Sequence, residues 1–367
     1  MAKKIIRSIA LLTGGGDCPG LNAVIRAVTK TAINVYGLEV WGVEDGYLGL
    51  IENRLRQLHQ QDVSSILTLG GTILGTSNTA NPFSFAVHKK SGQVEFVDVS
   101  DRVLSTIREK NIDALICIGG DGTMATAAKL AKLGITVIGV PKTIDNDFVG
   151  TDTTFGFDTA VTTAAEALDK IHTTASSHHR VMIVEVMGRY AGWIALHAGV
   201  ASGSDVILIP EIPFHIDKVA EFIMDRARRG KRFSIITVAE GAKEKGGSLT
   251  VRQTIKHSPD PIRLGGIATR LSSILEEKTG HETRAVVLGH IQRGGTPTPY
   301  DRVLATNFGF HAITLLMEKN LKGHLVVINN GQLGSIPLAK IAGKVRVIPK
   351  NHPLIQAAIG VKTSFGI

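Results

Sequence analysis

Cysteine is scarce: the 367 residues include only two, Cys18 and Cys117. So few, so far apart in sequence, exclude a disulfide framework and fit a reducing cytoplasm. Long apolar runs are missing, so no segment reads as a membrane span. The basic start, Met1-Ala2-Lys3-Lys4-Ile5-Ile6-Arg7, leads into a short apolar stretch that ends at Gly14-Gly15-Gly16-Asp17. That pattern reads as a first strand and not as a signal peptide. There is no Pro-, Ser- or Gly-rich linker, no internal repeat and no low-complexity segment. Zinc-finger spacing, aromatic RNA-binding motifs and a long basic tail are absent as well. The formal net charge of +9 then points to anionic metabolites, with no nucleic acid and no membrane as partner.

What is present suits a folded chain. Hydrophobic residues make up 43% and charged residues 20%, enough for a proper core. The length suits two α/β lobes better than one core. Apolar, β-branched runs at Ile9–Leu12, Ala114–Ile118, Val137–Val140, Val181–Val186, Val206–Ile209, Ser234–Ala239 and Ala285–Leu288 read as buried strands. Helical patterns begin near Asn22, Met124, Gly156, Ile216, Gly265 and Asp301. Such alternation predicts mainly parallel sheets with helices on both faces, a doubly wound α/β class. With no linker between them, the lobes are expected to exchange chain segments. Pro82–Val99 reads as an inserted hairpin.

Reactive residue types recur just past the expected strand ends: Asp17, Asp121, Asp145, Arg189, Glu240 and His290. Open parallel sheets bind ligands on that edge. The 40 glycines cluster in loops at the same places, where backbone can approach phosphate. The loop Thr13-Gly14-Gly15-Gly16-Asp17-Cys18-Pro19-Gly20 is either an anion cradle or a tight turn, and it lacks a Walker A lysine. Cys18 has no evident base partner and reads as a small loop residue. Gly119-Gly120-Asp121-Gly122-Thr123 points to nucleotide phosphates, with Asp121 able to hold magnesium.

Pro141-Lys142-Thr143-Ile144-Asp145-Asn146-Asp147 is either an Asx-rich turn or a catalytic pair. In an extended chain Thr143, Asp145 and Asp147 would share a face, one carboxylate taking a proton from a hydroxyl. Arg189, in Glu185-Val186-Met187-Gly188-Arg189-Tyr190-Ala191-Gly192, is expected at a helix start. A lone arginine is electrostatically poor there unless it meets an anion. His290 and Arg293, in Leu288-Gly289-His290-Ile291-Gln292-Arg293-Gly294-Gly295, make a pocket for a phosphate ester. Arg180 and Arg284 precede their strands. A strand of about six residues spans roughly 20 Å, so these two either form surface salt bridges or serve a neighbouring subunit.

In this order, and over nearly the whole chain, PKTIDND, EVMGRYAG and LGHIQRGG resemble the phosphofructokinase family. The resemblance implies two α/β lobes with the site in the cleft between them: residues 1–155 plus about 290–340 for the donor, 156–289 plus about 341–367 for the sugar phosphate. It implies transfer of a phosphoryl group from ATP, with Mg2+, to the 1-hydroxyl of fructose 6-phosphate. Asp145 would be the base, supported by Thr143 and Asp147. Asp121 would hold the metal and Arg189 the moving phosphoryl. Met187, Gly188, Glu240 and His290 would line the sugar site, and Arg293 would meet the 6-phosphate. Arg180 and Arg284 would come from the adjoining subunit of a homotetramer. Gly15, Gly16, Asn78, Gly120, Gly122, Thr123 and Lys142 would surround the donor.

Several positions depart from the best-known bacterial pattern. Lys142 resembles the pyrophosphate-using branch, whereas Gly122 resembles the ATP-using branch. A carboxylate at 122 would crowd the α-phosphate, so Gly122 weighs more. Asn78 replaces an arginine common in relatives, and Lys142 can supply the missing charge. Gln60 and His172 also stand where effector-site arginines are expected. The rivals are the same transfer from pyrophosphate or ADP, a kinase acting on NAD, and a non-catalytic metabolite sensor.

Overall fold

A computed structural model describes residues 5–89, 93–254, 262–341 and 343–367. The strands, in chain order, are β1 (Ser8–Gly14), β2 (Glu39–Val43), β3 (Leu55–Gln57), β4 (Phe85–His88), β5 (Val94–Val97), β6 (Ala114–Gly119), β7 (Thr136–Pro141), β8 (Val181–Val186), β9 (Val206–Leu208), β10 (Ser234–Ala239), β11 (Val251–Thr254), β12 (Ile262–Leu264), β13 (Thr283–Val287), β14 (His324–Asn329) and β15 (Gln332–Pro337). One sheet has the order β15-β14-β7-β6-β1-β2-β3 and the other β13-β8-β10-β9. In the first sheet the pairs from β14 across to β2 are parallel, and only the edge strands β15 and β3 run antiparallel. The second sheet is parallel throughout.

The strands are apolar on both faces because both faces are covered. In β1, Ile9 and Leu11 join a core that also contains Val184 and Val186 of β8, so one apolar layer serves both sheets. Ala10 and Leu12 point the other way, into a second core with Leu115, Cys117 and Val137. Val181 and Ile183 do the same for the outer face of the second sheet. Each such fully buried Leu, Ile or Val contributes about 1.5–3 kcal/mol.

The chain passes between the two sheets more than once. After β13 the helix Pro299–Met317 packs on the helix Leu21–Tyr36, and β14 and β15 complete the first sheet. The contact is close: a Cβ on Gly309 would lie 2.7 Å from the Ala27 Cβ. The chain then crosses back, and Ser364 bridges to Val206 of the second sheet. Pro82–Val99 does hold an antiparallel hairpin, β4 with β5; Lys90–Gly92 at its tip lie outside the described residues. Two boundaries move. The helix expected near Met124 opens at Asp121, and β13 begins at Thr283, which puts Arg284 inside the strand.

Candidate active site

Register builds the first rim. Gly14 lies opposite Gly119, and Gly119 opposite Pro141. Three loops therefore leave the sheet side by side at their carboxyl ends. The chain runs outward from β1 in one direction and from β6 in the other, and the crevice at such a reversal is where open sheets bind ligands. Thr123 explains the two strand-ending glycines. A Cβ on Gly14 would lie 2.6 Å from Thr123 Oγ1, and one on Gly119 would meet the same side chain. The Tyr47 hydroxyl donates to the Thr123 carbonyl at 2.9 Å. Thr123 is thus a packing residue between the strand ends, a role beyond the donor contact expected of it.

The first glycine loop is held from two sides. Ser77 accepts the Gly15 N–H at 3.2 Å, and the Thr76 hydroxyl donates to the Gly15 carbonyl at 2.5 Å, which lays the segment with exposed Asn78 against it. From within, the buried Lys142 Nζ donates to the Gly16 carbonyl. Burial pulls the Lys142 pKa down. Arg293 Nη1 donates to the Asp17 carbonyl at 3.0 Å. Arg293, expected at a phosphate ester, here rests on the first glycine loop.

Thr143 to Asp147 is a turn and not an extended strand. Asn146 has a φ of 52°, a left-handed conformation that breaks the alternation. The side-chain grouping expected there nevertheless forms by another route. Thr143 Oγ1 accepts the Asp145 N–H at 3.0 Å, and the same hydroxyl lies near enough to the Asp147 carboxyl to lower its pKa.

Electrostatics ties the turn to its surroundings. Burial raises the Asp145 pKa, while Arg293 and Lys142 pull it back. Asp145 Oδ1 is buried and has no hydrogen-bond partner among the described residues. Asp147 is pushed up to about 6, by burial first, then by the Asp145 charge, with Asp121 adding to it. Glu240 is pushed up to about 7 by burial, then by Asp145 and Glu185. Acids shifted this way in a cleft mark functional sites. Asp121 itself opens its helix and accepts the Gly343 N–H at 3.0 Å.

The second rim supplies the other half. Val186 pairs with Ala239, and Glu185 with Val287, so Met187, Glu240 and Leu288 emerge together. Buried Gln292 joins two motifs: it accepts the Met187 N–H at 3.3 Å and donates to the Gly289 carbonyl at 3.0 Å. A cavity of about 600 Å3 opens here, bordered by Met187, Glu240, His290, Glu185 and Arg252. Glu185 occupies the start of the helix Ile267–Thr279, accepting the Gly266 N–H at 3.0 Å and the Ala268 N–H at 2.9 Å.

Arg189 is not at a helix start, since that helix begins at Trp193. It lies in the preceding bend, its guanidinium over the Tyr190 ring at 4.9 Å. Its backbone runs beside the loop that follows Glu240, where the Gly241 N–H donates to the Gly188 carbonyl at 3.1 Å. Arg180 and Arg284 sit at the far, amino edge of the second sheet. Both pair with Glu282, at 2.8 and 2.5 Å, and Arg284 also with Glu276 at 3.4 Å. Cys18 and Cys117 are buried free thiols pushed up to about 12 by burial, which suits packing and not catalysis.

Sequence reasoning missed Gln292, Glu185 and Arg252. Gln292 stands inside a recognised motif, where a buried amide joining two loops leaves no pattern of its own. Arg252 comes from the β11–β12 hairpin, which no motif marks.

A family profile described as Phosphofructokinase matches residues 8–316. The chain is 50% identical over 361 residues to ATP-dependent 6-phosphofructokinase 2 of Clostridium perfringens, covering 98% of each chain. It is 48% identical over 341 residues to the pyrophosphate–fructose 6-phosphate 1-phosphotransferase of Amycolatopsis methanolica, covering 93% of this chain and 96% of that one. It superposes on the T-state phosphofructokinase of Pichia pastoris with a TM-score of 0.77 at 31% identity, covering 98% of this chain but only 37% of the longer yeast chain. The chain belongs to the phosphofructokinase family.

Proposed function

We propose that this chain transfers the γ-phosphoryl group of ATP to the 1-hydroxyl of fructose 6-phosphate, giving fructose 1,6-bisphosphate. The observation that carries the reading is Asp145: a buried carboxylate oxygen with no hydrogen-bond partner among the described residues, influenced by two cations. A group left this way costs free energy unless a ligand completes it. A sugar hydroxyl does so, and Asp145 then accepts its proton.

The other residues divide the labour. Thr143 and Asp147 hold the base in its turn, and Lys142 and Arg293 favour its ionised form. Backbone N–H groups around Gly16, Gly120 and Gly122 face the donor phosphates, and Gly15 shapes the loop that presents them. Asp121 and Asp147 form the small carboxylate set that magnesium accepts beside phosphate oxygens, and the Asp121 charge is close enough to raise the Asp147 pKa. When bound, magnesium neutralises charge developing on the phosphoryl oxygens. Arg189 turns from Tyr190 to the phosphoryl group. Met187, Gly188 and His290 line the sugar. Glu240, at about 7, is protonated often enough at neutral pH to donate to a sugar hydroxyl. Arg293 meets the 6-phosphate.

Residues 1–155 with about 290–340 serve the donor, and 156–289 with about 341–367 the sugar phosphate. Arg180 and Arg284 complete a neighbour's site in a homotetramer. An exposed stripe on one helix, Tyr300, Val303 and Phe310, suits such association. The compartment is the cytoplasm. Among the described residues no helix is long and apolar enough to cross a membrane.

The second reading is pyrophosphate as donor, favoured by Lys142 and by the name of the Amycolatopsis relative. Gly122 favours ATP. A Cβ there meets no protein atom within 4 Å, so packing does not demand glycine, and the space is left to a ligand. Assaying purified protein with fructose 6-phosphate and ATP, ADP or pyrophosphate in turn tests both readings. ATP is expected to be the efficient donor. Faster turnover with pyrophosphate overturns the ATP reading, and no bisphosphate with any donor overturns the reaction.

A further inference from the structure

The segment from Gly343 to Ile348 carries no motif, yet it touches both rims. The Gly343 N–H donates to Asp121 Oδ1 at 3.0 Å. Val345 bridges to Phe148, just past the catalytic turn. The Ile348 N–H donates to Glu211 Oε1 at 2.9 Å, and the same carboxylate accepts the Gly192 N–H at 3.1 Å. Glu211 thereby links this segment to the loop that bears Arg189.

Arg346 sits at the middle, with its main chain and its guanidinium both engaged. Its N–H donates to the Asp147 carbonyl at 2.7 Å. Its Nη1 donates to the carbonyls of Asn146 at 3.3 Å and Asp152 at 2.7 Å. Its own carbonyl accepts Trp193 Nε1–H at 3.1 Å, and its guanidinium lies 4.4 Å from the centre of the Trp193 ring. Trp193 is buried at the start of the helix that follows the Arg189 loop. One half-buried side chain therefore spans from the turn of the first lobe to a helix of the second.

The turn has need of such a hold. Asn146, between the two acids, is in the left-handed region. That conformation persists where surrounding bonds over-determine it. Asn146 Oδ1 accepts the Thr154 N–H at 3.2 Å, and Arg346 satisfies the carbonyls of Asn146, Asp147 and Asp152. A guanidinium suits this better than an ammonium, because a planar fork donates in fixed directions and stacks on an aromatic face.

We propose that Arg346 is a positioning residue for phosphoryl transfer, fixing the Asp145–Asp147 turn against Trp193 so that the base and the Arg189 loop keep one geometry. The proposal rests on the reading of the site given above. Arg346 touches neither acid's carboxylate, so its loss misplaces the base without removing a substrate contact. Misplacement of about 1 Å costs on the order of 10²-fold in rate.

The test compares R346A and R346K with wild type in turnover and in amide hydrogen exchange. R346A is expected to lose about 10²-fold in kcat, with KM for ATP and fructose 6-phosphate within about threefold of wild type. Exchange is expected to quicken at residues 144–148, while β8 and β10 stay protected. R346K is expected to recover part of the rate. Wild-type kcat in R346A overturns the proposal, as does exchange that rises evenly through the core strands. Should R346A not fold, wild-type kcat and exchange in R346K overturn it instead. A wild-type protein that makes no bisphosphate overturns the reaction proposed above, and exchange at 144–148 still decides whether Arg346 fixes the turn.

Discussion

The two rims are built from different materials. The first is mostly main chain: three loops leave aligned strand ends at Gly14, Gly119 and Pro141. Its large side chains are turned on the backbone itself, Thr123 between the strand ends and Lys142 on the Gly16 carbonyl. The second rim is side chains around a cavity of about 600 Å3, with Met187, Glu240 and His290 among them. A polyphosphate is recognised by N–H groups that any sequence supplies once the loop geometry is right. A sugar needs particular donors and acceptors. Substitutions on the first rim should therefore act through geometry or space, and those on the second through lost contacts.

Asp145 belongs to both, so its loss carries the largest effect. D145N keeps the shape of the turn and removes the proposed base. Its kcat is expected to fall by about 10²–10⁴-fold with KM for fructose 6-phosphate little changed, read by steady-state kinetics. Near wild-type kcat would remove the base from the mechanism.

Next comes space on the first rim. G122D adds a carboxylate where no protein atom lies within 4 Å, so folding should not notice it. Against ATP the like charge should cost about 10²-fold in kcat/KM, while the thermal midpoint stays put. An equal loss with pyrophosphate would show that position 122 does not discriminate donors.

The same contrast governs how much could be read from the sequence. The first rim was legible because its glycines and acids are contiguous in the chain and stand at the ends of strongly apolar strands. Alternation of strand and helix gave the two lobes for the same reason, since burial on both faces leaves continuous runs of Ile, Val and Leu. At Thr143–Asp147 the sequence suggests an extended segment, and the backbone there turns instead. Nothing in Ile-Asp-Asn-Asp announces that Asn146 turns left-handed, because the bonds that hold it there come from Thr154 and Arg346. Arg189 is expected at a helix start, whereas the helix opens at Trp193. Arg346 was illegible because its partners are distant in sequence, and the Gln292 bond to Met187 is also distant, so no local spacing records them.

A smaller effect separates the charges around the base. The transfer as proposed needs Asp145 ionised, so activity should fall as pH drops through the range where these coupled acids take up protons, which for Asp147 is about 6. D147N removes a like charge next to Asp145 and should move the acid limb of kcat/KM to lower pH. K142G removes a cation that favours ionised Asp145 and should move it to higher pH. Opposite displacements in the two pH–rate profiles would confirm that first-rim side chains tune the base, and displacements of the same sign would refute it.

The smallest effect concerns the seam behind both rims and reads in stability alone. Asp301 is buried where the helices Phe157–His178 and Pro299–Met317 meet, accepting the Thr159 N–H at 2.8 Å and its hydroxyl at 2.6 Å. Burial, the main cause, pushes its pKa up to about 6 from 3.8. In the pH window between those values the unfolded chain has released this proton and the folded chain still holds it. Stability from this group is therefore full below the lower value and is lost as pH rises through the upper one. D301N keeps an acceptor for Thr159 and has no proton to release. From pH 4 to pH 7 the unfolding free energy of D301N should gain about 2–3 kcal/mol on wild type, measured by urea unfolding at both pH values. Its absolute value is set separately by what the amide NH2 meets where Asp301 Oδ1 now has no partner, so the change with pH, and not the offset, tests the buried acid. A difference between the two proteins that stays constant with pH would mean that Asp301 is ionised in the folded chain throughout.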